Sequence, residues 1–285
     1  MFIYMQQFHL MQETTKKLAL NEKDEFEAQK ILLKQNFDVI IPAFNEENRI
    51  GRVLDEVCSY IQENEFPWKV TVLIDGNDRT EEIVSELSKK YKFLLAVKNR
   101  SRSGYGGAIK KGAESGLSEY LIILEADGAM DFKYVVANLH YLRDYDIINF
   151  DRHSGNQRLI PLLRRIASRG YNLYIKVLLL DLKVRDIQGG YKVFRMGAAK
   201  SLFKKITITD GFFQAALFYH AKEMGLKVIE ISVPYEHQQG SKFGMGHMVL
   251  GGFVSGIALR LRNSSFYRFI PKSFVELYYR KFRWI

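Results

Sequence analysis

Between residues 37 and 150, five short apolar runs rich in Val, Ile and Leu alternate with four longer amphipathic stretches. A strand that reaches its neighbour through a helix arrives parallel to it by a right-handed crossover, so this alternation predicts a mainly parallel sheet covered by helices. The expected strands are residues 37–43, 69–74, 93–98, 120–125 and 147–150, and the expected helices 48–63, 81–91, 107–116 and 132–142. The fold class is α/β, Rossmann-like, with a nucleotide-sized crevice. In open sheets of this kind ligands bind beyond the carboxyl ends of the strands, so the residues just after each run are the ones to read for chemistry.

Those positions are polar. Glu125-Ala126-Asp127-Gly128 follows the run Leu121 to Leu124 and puts two carboxylates at the sheet mouth. Carboxylates two apart can share a hard cation, Mg²⁺ or Mn²⁺, which neutralises a diphosphate leaving group; an exposed acidic turn is the plainer alternative. Asp75-Gly76-Asn77-Asp78 ends the second run. A carboxylate there can accept from a base N–H or a ribose hydroxyl, while Asp78 or Thr80 caps the helix that follows. Ser103-Gly104-Tyr105-Gly106-Gly107 leads into a helix carrying Lys110 and Lys111. Glycines before a helix N-terminus let backbone N–H groups approach an anion, although the spacing is that of neither a P-loop nor a dinucleotide fingerprint.

Composition narrows the partners. The chain has 285 residues and a net charge of +10, which calls for an anionic partner. Residues 1–36 are balanced, with five lysines and five acids, and read as a charged helical extension. Residues 152–180 carry six basic residues and no acid, and residues 260–285 carry seven basic residues against Glu276. The single cysteine, Cys58, excludes a disulfide framework and sits at an apolar helical position, which favours packing over nucleophilic chemistry. The first ten residues lack a signal-peptide pattern, and the apolar run 248–259 is about half the roughly 20 residues needed to span a bilayer. A peripheral place on the cytoplasmic side of a membrane is expected, with no transmembrane helix.

As an ordered set the motifs resemble the inverting GT-A-type glycosyltransferases, and more closely the dolichyl-phosphate mannose and glucose synthases. Val39-Ile40-Ile41-Pro42-Ala43-Phe44-Asn45-Glu46-Glu47 is similar to that family's Pro-x-Tyr-Asn-Glu-Glu opening, with Phe44 in the tyrosine place. Residues 186–195, Asp-Ile-Gln-Gly-Gly-Tyr-Lys-Val-Phe-Arg, resemble its Asp-x-x-x-Gly-Phe-x-x-Phe-x-Arg, and Val233-Pro234 with Gly240-Ser241-Lys242 its closing elements. The resemblance implies a GT-A domain over residues 37–245 that takes a hexose from GDP-mannose or UDP-glucose. Glu125 and Asp127 would hold Mg²⁺ or Mn²⁺, and Asp75 the donor base. Arg102 or Lys110 would meet the diphosphate. Pro42, Ala43, Asn45, Glu46, Ala126 and Lys242 would complete the donor site, and Gln188 would lie near the sugar. The sequence departs from the pattern where Glu125 replaces the first Asp, where Ile74 precedes Asp75 in a turn one residue short, and at Gln238-Gln239. The donor base stays open.

Arg164 and Ser168 fall one helical turn apart and could meet one phosphate together. They resemble the acceptor-phosphate arginine and serine of the dolichyl-phosphate mannose synthases, with Arg152 like their upstream arginine. That implies dolichyl or another polyprenyl phosphate as acceptor. The basic and aromatic segment 246–285 suits the interface of an anionic membrane, and no nucleic-acid module is visible. Two other readings stay open. A hydroxyl-acceptor glycosyltransferase would use Asp210 as base, and a binding module would keep the nucleotide pocket without catalysis.

Overall fold

In the computed structural model residues 25–152, 184–209 and 212–234 are described, together with positions 170, 173, 256, 257, 259 and 260. Seven strands form one sheet: β1 (Phe37–Phe44), β2 (Lys69–Asp75), β3 (Leu94–Lys98), β4 (Tyr120–Ile123), β5 (Ile147–Asp151), β6 (Lys192–Arg195) and β7 (Val228–Ser232). Their order across the sheet is β3-β2-β1-β4-β6-β5-β7. All neighbours pair in parallel except β6, which runs antiparallel to both β4 and β5. The helices are α1 (Ile50–Glu63), α2 (Thr80–Lys90), α3 (Gly104–Ser115), α4 (Phe132–Ala137), α5 (Met196–Lys205) and α6 (Phe213–Glu223), with a 3₁₀ turn at Leu139–Arg143. Residues 25–33 are also helical.

Successive side chains of a strand face opposite sides, and here both sides are covered. Val39, Ile41, Val70, Val72 and Ile74 pack with α1, Trp68 and Phe132 on one face. Ile40, Leu73, Leu121 and Ile123 pack with α3, α5 and α6 on the other. Trp68 anchors the first layer, 4.6 Å ring to ring from both Phe37 and Phe66, with its indole N–H donated to the Gln35 carbonyl. Cys58 is fully buried there, and burial pushes its thiol up to about 12, as suits a packing residue. Leu259 is buried in the second layer, so part of the segment 246–285 lies against the core. Among the described residues no helix is long and apolar enough to cross a membrane.

Three boundaries differ from those expected, each through a partner distant in sequence. β4 ends at Ile123 rather than at residue 125. The Leu124 amide still donates to the Ile40 carbonyl, so by the two-residue period Pro42 is the next β1 residue facing β4. Proline has no N–H to offer, and β4 peels away there. Helix α3 starts at Gly104 rather than at residue 107 because the Asp75 carboxylate accepts from the Ser103 and Gly104 amides, 2.9 Å each, and caps the helix from another element.

The expected helix 132–142 breaks at Asn138. Gln29 donates its side-chain amide to the Val136 carbonyl and accepts from the His140 amide. Those are the two groups an unbroken helix would join to each other, so the Gln29 amide is a wedge driven into the ladder. The charged extension is thus docked on the fold at its described end.

Gly106 shows how tightly α3 meets α6. A Cβ there would lie 2.4, 2.6 and 2.9 Å from Cδ2, Cγ and Cβ of the buried Phe213. Alanine adds up to about 1 kcal/mol of helix propensity, but overpacking costs about 1–3 kcal/mol. Overpacking wins, so Gly106→Ala should lower the urea midpoint at unchanged m-value.

Candidate active site

The strand order turns back at β1, since β2 and β3 lie on one side and the chain crosses to β4 on the other. In open sheets the crevice lies at such a switch point, and the segments that leave the sheet there are residues 44–47 after β1 and 125–127 after β4. Pro42 and Ala43 pair with Leu73 and Ile74 at the crevice floor. Asn45 has a left-handed φ of 55°, and its Oδ1 accepts from the Asn77 amide at 3.0 Å. Gly76 must be glycine, since its φ is 109° and a Cβ would lie 2.1 Å from Asn45 Oδ1. Thr80 Oγ1 and Asp78 Oδ2 accept from the Glu46 and Glu47 amides, and the Glu46 side chain pairs with Arg49 at 2.6 Å. The β1 and β2 turns are therefore one hydrogen-bonded unit.

Asp75 closes the next wall. Besides the two amides its oxygens accept from Asn99 Nδ2 at 2.7 Å and from Ser103 Oγ. Its first task is thus to shape the loop 99–104. The Arg102 guanidinium in that loop stacks 4.3 Å over the Phe44 ring, at the crevice mouth. Lys110 is turned to the α5 end, where Nζ donates to the Ile206 carbonyl at 2.7 Å.

At the end of β4 the two carboxylates differ. Asp127 accepts from the Ala129 amide at 3.0 Å and lies 3.5 Å from the Tyr191 hydroxyl. Glu125 fills the space over Gly190, where a Cβ would meet Oε1 at 2.0 Å. Burial first, and then the Asp127 charge, push the Glu125 carboxyl up to about 7, against the pull of Arg152 and Lys192. Lys192 is the opposite case: burial pushes its ammonium down to about 7 against Asp186 and Glu125, and Nζ donates to the Gly189 carbonyl. The buried Tyr105 hydroxyl accepts from Gln214 Nε2 at 2.9 Å, and its phenol is raised well above the usual range by burial and by Glu125.

A repulsive carboxylate pair, one member kept partly protonated by burial, fits a divalent cation. Among the described residues no group of three His, Cys, Asp or Glu side chains could hold one alone. Two carboxylates completed by substrate phosphates is how Mg²⁺-type ions are commonly bound.

The loop entering β6 supplies the remaining pieces. Asp186, fully buried, takes Arg152 in a two-point fork, Nε to Oδ2 at 2.7 Å and Nη2 to Oδ1 at 3.0 Å. Its Oδ1 also accepts from the Gln188 amide, while the buried Gln188 Nε2 and Gln214 Oε1 have no hydrogen-bond partner. The candidates Arg164, Ser168, Lys242 and Asp210 lie outside the described residues. Asp186, Lys192, Tyr105 and Asn149 were not singled out from the sequence. Asp186 opens a recognised motif and was within reach, whereas Lys192 and Asn149 stand in apolar strands and gave no sign of the neighbours they meet.

A glycosyl transferase family 2 model matches residues 38–203. A dolichyl-phosphate beta-glucosyltransferase of Trichomonas vaginalis is 28% identical over 247 residues, 80% of this chain and 73% of that one. The Homo sapiens dolichyl-phosphate beta-glucosyltransferase is 28% identical over 231 residues, 73% of this chain and 69% of its own. Among solved structures, Mycobacterium tuberculosis glucosyl-3-phosphoglycerate synthase with Mn²⁺, UDP-glucose and phosphoglyceric acid superposes with a TM-score of 0.64. It is 14% identical and covers 85% of each chain. The fold is the GT-A fold.

The Glu125–Gly190 contact can be tested directly. Gly190→Ala displaces the carboxylate and should weaken Mn²⁺-dependent binding of a nucleoside diphosphate about tenfold or more by titration calorimetry, since one ligand group is lost. Gly197→Ala, which meets nothing within 4 Å, should leave it unchanged.

Proposed function

The chain belongs to glycosyl transferase family 2, and from that premise we propose that it moves glucose from UDP-glucose to dolichyl or another polyprenyl phosphate. The observation that carries this reading is the pairing of a two-carboxylate donor site with the Arg152–Asp186 fork across β6. The glucosyltransferase names of its relatives support the sugar and the lipid. GDP-mannose, also expected from the sequence, has no such support.

In the reaction a phosphate oxygen of the acceptor attacks the anomeric carbon from the face opposite the diphosphate. The new C–O bond forms as the sugar–diphosphate bond breaks, and the configuration inverts. Glu125 and Asp127 would hold a divalent cation, which when bound offsets charge on the departing diphosphate. Arg102, next to Phe44, adds a cation on the same side. The crevice walls of Asn45, Glu46 and Asp75 receive the nucleoside, and Gln188 lies towards the sugar. Arg152, with Arg164 and Ser168, orients the acceptor phosphate. Such a phosphate needs no base, because its second pKa is about 6 and it is mostly dianionic at neutral pH. A hydroxyl acceptor would need one, and the first turn of α6 carries no acid, with Gln214 at its second position. The basic and aromatic residues after 260 support a peripheral position on the cytoplasmic face of an anionic membrane.

With UDP-glucose, Mn²⁺ and a short polyprenyl phosphate, the purified chain should form a lipid-linked glucose. Asp127→Asn should abolish product at an unchanged melting temperature, and Asp210→Asn should cost less than about threefold, because no proton is removed from the nucleophile. A dead Asp210→Asn, or equal turnover of the matching alcohol, would overturn the phosphate acceptor. For the membrane, removing residues 266–285 should release the protein from anionic vesicles in a sedimentation assay. Continued pelleting would place the anchor elsewhere.

A further inference from the structure

Three polar side chains lie in one row across the apolar sheet. Asn149 on β5 pairs in register with Lys192 on β6 and with Glu230 on β7. On the same face, two residues along the strands, lie Ile147, Phe194 and Val228; Asn149 and Lys192 are buried among them and Glu230 is half-buried at the edge strand. Burying polar groups among such side chains is unfavourable unless each is used. Glu230 is used three times: Oε2 accepts from the Arg185 amide at 2.6 Å, and Oε1 from the Asp186 amide at 3.1 Å and from Asn149 Nδ2 at 3.0 Å. Asn149 Nδ2 also donates to the Asp186 carbonyl at 2.9 Å. The backbone of Asp186 is thus gripped at its N–H and at its C=O, although it belongs to no strand. Its carboxylate in turn fixes Arg152 through Nε, Nη2 and the backbone amide.

We propose that Glu230 is a positioning residue for the acceptor: with Asn149 it anchors Asp186, and through Asp186 it sets the direction of the Arg152 guanidinium. This rests on the reading above that Arg152 meets the acceptor phosphate. An arginine whose Nε and Nη2 are taken by one carboxylate keeps a fixed plane, so that carboxylate sets the direction its guanidinium presents to a dianion. Glu230 touches neither substrate, and it lies one strand beyond the residue that does.

The experiment is a double-mutant cycle on the full chain, with UDP-glucose and a short polyprenyl phosphate both varied. Glu230→Ala should raise the acceptor KM about tenfold, with donor KM and kcat within about twofold, because only the orientation of an acceptor contact is lost. Glu230→Gln keeps one acceptor oxygen for the Asp186 amide and Asn149 Nδ2, and should recover most of that loss. In an Arg152→Ala background, Glu230→Ala should have no further effect on acceptor KM, since a residue acting through Arg152 has nothing left to act on. A full, undiminished effect in that background overturns the proposal. So does a parallel loss in donor and acceptor parameters that tracks the melting temperature. If Glu230→Ala does not fold, Glu230→Met, which keeps the side-chain bulk and removes both acceptor oxygens, carries the same cycle, and an unchanged acceptor KM in it counts against the proposal. If Arg152→Ala alone leaves acceptor KM unchanged, the acceptor role of Arg152 falls and the relay with it. If Arg152→Ala raises acceptor KM and Glu230→Ala does not, only the relay falls.

Discussion

One strand runs the wrong way, and the site depends on it. β6 is inserted antiparallel between β4 and β5, so the loop 186–191 enters the sheet at the edge where β4 leaves it. Without that reversal Gly190, Lys192 and Asp186 would sit at the far end of the sheet from Glu125. With it, two cations and three carboxylates come together within a few residues of a strand terminus that Pro42 has freed from its ladder. A parallel sheet builds the nucleotide crevice, and a single reversed strand brings in the chemistry beside it.

The buried charges there act on one another. Burial works against both charges, while Arg152 and then Lys192 draw Glu125 back towards its charged form, and Asp186 and then Glu125 do the same for Lys192. Such a balance contributes little to stability, because desolvation offsets most of the Coulomb attraction. The tight Gly190 and Gly106 contacts leave the carboxylate and the α3–α6 packing no room to drift.

Much of the fold was legible in the sequence because its signals are local. Strand alternation in residues 37–43 and 69–74, and the helical period of 48–63, put those elements within two residues of where they fall. The candidate positions were legible as residues at strand ends, and Asp75, Glu125, Asp127 and Arg152 stand at or just after the carboxyl ends of β2, β4 and β5. Contacts made across the chain were not legible. Nothing within ten residues of Asn138 indicates that Gln29 will split its helix, and the glycines at 104–107 read equally well as an anion loop or as the close helix packing found at Gly106. Lys192, Asn149 and Glu230 would ordinarily mark a solvent face, but this sheet has helices on both sides, so polar residues in it must find partners that only the topology provides.

The Gln29 wedge makes two distant segments conditional on each other. Gln29 stands where a peptide group would, 111 residues from His140 in sequence, and completes a hydrogen bond that the local chain leaves open. While residues 25–33 are docked, the His140 amide is protected by a side chain rather than by its own helix. Were they to lift away, that proton would meet solvent or close onto Val136, next to the 3₁₀ turn whose Leu142 and Arg143 carbonyls accept from Arg195 of β6. The exchange rate of a single backbone hydrogen is therefore a gauge of whether residues 25–33 are seated, and it reports from the 3₁₀ turn without a label.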